Sequence, residues 1–146
     1  MSSLSSPSPD LPGKHHLALF IFRVASGLVF LYHGSAILFG VFGGPGFRAF
    51  AGFMHAPVII GFLVGLAQFA GGLALLTGVF VRIGAICIMI VMAGAILLVH
   101  LPHGFSLANN GMEYALTQFL IALGLFITGG GSYSLAGILP PALRKL

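Results

Sequence analysis

The chain has 146 residues, 58% of them hydrophobic and only 5% charged, with a mean hydropathy of +1.12 and a formal net charge of +4. A soluble domain of this length keeps too much surface in water to hide that much apolar area, so the composition excludes a soluble fold and indicates an integral membrane protein. The charge comes from too few residues to suggest nucleic-acid binding, and a lone cysteine, Cys87, excludes an internal disulfide or a thiol relay within the chain.

Residues 1–13 are rich in Ser and Pro, and with Lys14, His15 and His16 they form an expected disordered tail over 1–16. The first apolar run, 17–39, is long enough to cross a bilayer. It is too long for a signal peptide and is interrupted by Arg23, so it reads as a retained helix. Arg23 near its start and His33 near its end mark the two interfacial ends of that span. A Gly-rich break and a short loop with Arg48 and His55 follow.

The second span is predicted over 57–80, opening at Pro57. Gly61, Gly65, Gln68 and Gly72 fall at offsets that share one narrow stripe of a helix, which carries Gln68 into the protein interior. After a tight turn at 77–82 the third span covers 83–101, with Arg82, Met89, Ala93 and His100 on a common face. A polar loop over 102–111 leads to the fourth span, 112–128, which opens with Glu113 and carries Gln118. The run GGGSYS ends it, and a short tail over 139–146 holds Arg144 and Lys145. The fold class is therefore all-α, an integral membrane four-helix bundle. With four spans, Lys14, Arg23, Arg82, Arg144 and Lys145 share one side and only Arg48 lies on the other. The positive-inside rule then places both termini in the cytoplasm.

The pattern R-x-x-x-G-x-x-x-x-x-HG over Arg23, Gly27, His33 and Gly34 resembles the DoxX family. So do Q-x-x-GG-x-x-L-x-x-G from Gln68 to Gly78 with Arg82 after it, Gly111 with Glu113, and GGG-x-YSL over 129–135. The resemblance covers residues 17–138. It implies a small four-helix membrane protein of the bacterial plasma membrane, similar to the small subunit of a thiosulfate:quinone oxidoreductase and to subunits of membrane oxidoreductase complexes. Many relatives carry Lys where this chain has Ile37, Glu where it has Gln68, and Asp where it has Ala136.

Three ionisable residues are candidates for proton transfer at a quinol site: His33, His100 and Glu113, all expected at the outer side. Each also has a plain structural reading, the histidines as interfacial hydrogen-bonders and Glu113 as a charge favoured at a helix N-terminus. Arg23, Gln68 and Arg82 are candidates for cofactor binding, against topological anchoring for the arginines and interhelical hydrogen bonding for Gln68 and Gln118. The H-x-x-H spacing of His100 and His103 is too weak to carry a metal site, and no metal is expected. No flavin, nicotinamide, iron–sulfur or phosphate motif occurs, so electron transfer would need a bound quinone or a partner's cofactor. The leading expectation is a membrane subunit or anchor of an oxidoreductase system with a soluble or membrane partner protein. The alternatives are a structural or assembly protein without ligand and a small transporter; self-association is left open.

Overall fold

A backbone in hydrocarbon must hydrogen-bond to itself, and this sequence meets that demand almost entirely with helices. The structure, a computed structural model, describes residues 12–143. It contains α1 (Pro12–Phe39), α2 (Gly46–Phe53), α3 (Val58–Thr77), α4 (Val81–Ala95) and α5 (Glu113–Thr128). The architecture is the expected all-α membrane bundle. α1, α3 and α4 with its continuation to His103 are long and apolar enough to cross a membrane. α5 is apolar over 16 residues, or ~24 Å of rise.

Some boundaries differ from the sequence reading. Helix α1 already starts at Pro12, so the last residues of the expected 1–16 tail are helical; residues 1–11 and 144–146 lie outside the described residues. The loop expected after the first span contains α2. Its Ala51 is buried while Arg48 is exposed, the mark of an amphipathic helix lying across the bundle. Beyond Ala95 the third span loosens and then tightens, through a π turn at Ile96–His100 and a 3-10 turn at Leu101–His103.

Packing starts from α1 on α3. A Cβ on Gly34 would collide with the backbone of Phe69, and one on Gly72 with the backbone of Leu31 at 2.5 Å and the Gly27 carbonyl at 2.9 Å. Those glycines let the two backbones touch, which gives dispersion contact where no hydrophobic driving force exists between spans. The stripe of Gly61, Gly65, Gln68 and Gly72 is buried as its spacing predicts. α4 lies between α3 and α5, α5 meets α1 only sparsely, and α2 rests on α1 and α3. The buried face of α4 is Val81, Gly84, Ala85, Ile88 and Met92. Of the residues expected to share a face, Arg82 is exposed, whereas Met89 and Ala93 are half-buried and Met89 packs against the core. Where α5 and α1 do meet, the buried Ser26 hydroxyl donates to Gln118 Oε1 at 2.9 Å.

Candidate functional site

Polar groups gather at the two ends of the bundle. At one end is Arg23, which is 1% exposed. Its Nε donates to the Leu75 carbonyl at 2.9 Å, and Nη1 donates to the carbonyls of Gly130 and of Tyr133, the latter at 2.8 Å. Nη2 makes a longer contact of 3.5 Å with the Leu76 carbonyl. Leu75 and Leu76 belong to the last turn of α3, where carbonyls lack helical partners and the helix dipole is negative. The sequence reading placed this guanidinium at the interface. It is instead enclosed by α1, α3 and the loop after α5, because five N–H donors can satisfy a cluster of carbonyls that nothing else would reach. Arg82 is exposed, its Nη2 donating to the Ile127 carbonyl at 3.3 Å and its guanidinium flanking Gly129 at the start of the loop that Arg23 holds, while Gln68 lies toward the other end. Arg23, Gln68 and Arg82 therefore do not form one site.

The other end holds a cavity of about 120 Å³ lined by Phe30, His33, Gln68, Met92, Ala95, His100, Tyr114 and Ala115. Gln68 reaches it from the glycine stripe of α3 and is 7% exposed, yet its amide has no hydrogen-bond partner among the described residues. It does not make the interhelical bond expected of it; Gln118, of which the same was expected, does. His100 reaches the cavity through the π turn. An extra residue in the turn shifts the inward stripe of α4, so that it continues past Met92 and Ala95 to His100. The Nδ1 of His100 donates to the Asn110 carbonyl at 2.8 Å, which leaves Nε2 as the nitrogen available to a ligand. His33 enters from α1, its ring edge-on to Tyr32.

His33, which is itself exposed, and His100 thus line one cavity together with Gln68, a convergence that helical spacing alone left open. Glu113 does not. It is exposed, and its Oε2 accepts the Leu107 backbone N–H at 2.9 Å, closing the loop before α5. Its neighbour Tyr114 takes the place on the cavity wall. Tyr114 escaped the sequence reading, although it stands one helical turn before the buried Gln118. Among the described residues no cluster of three His, Cys, Asp or Glu side chains could hold a metal ion.

Chemically the cavity offers an amide with both donor and acceptor, a phenol and two imidazoles, with neither Lys nor Arg in its wall. Such a set suits a small uncharged ligand with oxygen on its rim. The open amide of Gln68 is the observation that favours a ligand over mere packing: among the described residues no fully buried side-chain nitrogen or oxygen lacks a partner, so this unbonded amide faces the open space of the cavity, where a ligand can pair with it. In comparison with known proteins, the family model described as DoxX matches residues 18–101, which contain Arg23, His33, Gln68, Arg82 and His100. No curated protein and no solved structure matches the chain.

Proposed function

The chain belongs to the DoxX family, and from that premise we propose that it is a membrane subunit of a quinone-linked oxidoreductase system, in which the Gln68 cavity receives the quinone head. A quinone, when bound, supplies two-electron, two-proton chemistry. The electrons come from a partner protein's redox centre, since this chain has no motif for one. The chain's own residues recognise the head and manage protons. The Gln68 amide donates to a carbonyl oxygen or accepts from a hydroxyl, Tyr114 donates its phenolic proton in a hydrogen bond, and the free Nε2 of His100 accepts a proton. With Nδ1 held by Asn110 toward the loop, the His100 ring leads from the cavity to the exposed end of the bundle. The proposed setting is the bacterial plasma membrane with both termini cytoplasmic, which puts this cavity at the outer leaflet. The small-transporter reading is less favoured, because proton-coupled carriage calls for a carboxylate within a span. Glu113, the only acidic residue among those described, sits exposed at the start of α5.

The unpartnered amide of Gln68 carries this reading, and a binding measurement tests it. Purified protein in mild detergent is expected to bind a benzoquinone or naphthoquinone head. Gln68→Met, which keeps the shape and removes the amide, is expected to weaken binding ~3–10-fold, the worth of one neutral hydrogen bond. Wild-type protein that binds no quinone, or a Gln68→Met variant that binds as tightly as wild type, would overturn it.

A further inference from the structure

The polar cavity shares part of its wall with a larger one. Gln68, Met92, Ala95 and His100 also line a second cavity of about 430 Å³ between α3 and α4. Its remaining wall includes Phe50 and Phe53 from α2, Ile60 from α3, and Ile90, Gly94 and Leu98 from α4. Phe53, Ile60, Ile90 and Leu98 are exposed, so the groove opens sideways on a face that lipid would touch. Its polar side chains, Gln68, His100 and Asn110, are the ones at or beside the smaller cavity.

We propose that this groove seats the hydrocarbon tail of the ligand whose head occupies the Gln68 cavity. The ligand is then a lipid-tailed quinone of the isoprenoid class, which arrives sideways from the bilayer between α3 and α4, under the edge of α2. The inference rests on the quinone reading above and adds the tail and its route. Three observations carry it. The groove and the polar cavity share four wall residues, and the unpartnered Gln68 belongs to both. Together they run from an apolar mouth to a polar end, which is the polarity profile of an amphiphile, and the groove's volume lies within the range of small-molecule sites. At the groove, a Cβ on Gly94 would meet nothing within 4 Å. The helix spends a glycine there although no neighbouring backbone requires one, and the missing side chain keeps the groove open.

A second apolar cavity gives the control. It holds about 420 Å³ between α1 and α5, lined by Leu19, Phe22, Thr117, Ile121 and Gly124 among others, and its wall has no amide or imidazole. A Cβ on Gly124 likewise meets nothing within 4 Å. Filling either groove with phenylalanine therefore tests location rather than tolerance.

The experiment is a titration of the full chain with two probes, one benzoquinone head without a tail and the same head with two isoprenoid units. Both are measured in the same detergent, so that micelle partition cancels between variants. Each fully buried methylene is worth roughly fourfold in affinity, so wild-type protein is expected to prefer the tailed probe by about tenfold or more. Gly94→Phe is expected to abolish that preference, Gly94→Leu to narrow it, and Gly124→Phe to leave it intact. Circular dichroism and gel filtration report whether each variant is folded. A wild-type chain without tail preference overturns the tail seat while the head-binding reading stands. So does a preference that survives in folded Gly94→Phe, or one lost equally in Gly124→Phe. A wild-type chain that binds neither probe overturns the quinone reading itself, and this inference with it.

Discussion

The single arginine of α1 shows how much one residue can organise. Arg23 is buried without a carboxylate, and backbone carbonyls from two distant parts of the chain surround it. Arg23→Ala would leave those carbonyls buried and unpaired at ~1–3 kcal/mol each for groups that water cannot reach. We expect a loss of about 3 kcal/mol or more in unfolding free energy, read by denaturant unfolding in detergent. Arg23→Lys keeps the charge but replaces a planar fork by a compact ammonium, so it should recover only part of that loss. A Lys variant as stable as wild type would show that charge alone, not the fork, holds this end. An arginine inside an apolar run was plain in the sequence, but its acceptors were not. They lie 52 to 110 positions away, and helical spacing says nothing about contacts at that range. Gln68 was legible, since its stripe of glycines pointed inward. The contrast between Glu113 and Tyr114 was not, because a lone acidic residue draws attention while the phase of α5 decides which neighbour turns inward.

Among the elements, the α1–α3 seam makes the strongest demand on side-chain size. Gly34→Ala or Gly72→Ala would push a methyl into the opposing backbone, and such overpacking costs ~1–3 kcal/mol. Gly124→Ala, whose methyl meets open space, should instead be neutral or stabilise by up to ~1 kcal/mol. Equal losses at Gly34 and Gly124 in the same unfolding assay would contradict the seam as described. Ser26→Ala removes the bond to Gln118 and should cost only ~0.6 kcal/mol, the usual worth of an interhelical hydrogen bond in a membrane bundle. The spans themselves were readable because the bilayer dictates their length and polarity. The short α2 and the π turn were not. Eight residues between glycines look like loop, and an apolar run gives no sign of where its helical repeat gains a residue. The π turn borders the candidate site and α2 the groove beside it, so the least legible pieces of backbone are those that shape this end.

For the molecule as a whole, counting α5 as a fourth crossing makes the number of spans even, and both termini are then expected on one face. Reporter fusions at residues 1 and 146 should therefore give the same answer, and the basic bias expects the cytoplasmic one. Opposite reporter signals would contradict a bundle of four crossings. The span count came from hydropathy; the order of helices around the bundle came only from the structure, since spacing along one helix does not say which neighbour it faces. Arg23 has a further consequence, for the making of the protein. Its helix is the first span to be synthesised, yet Gly130 and Tyr133, which supply two of its carbonyls, follow the last. While translation proceeds, the nascent first span carries a guanidinium whose shell is incomplete, and an isolated charge in hydrocarbon is costly. α1 is therefore expected to settle at its final depth only after residue 133 has been made. A chain stopped after Thr128 would hold every span but not the closing loop, and pulse-chase in growing cells should find it degraded faster than the full chain. The loop after α5 then acts as a quality seal on the first helix.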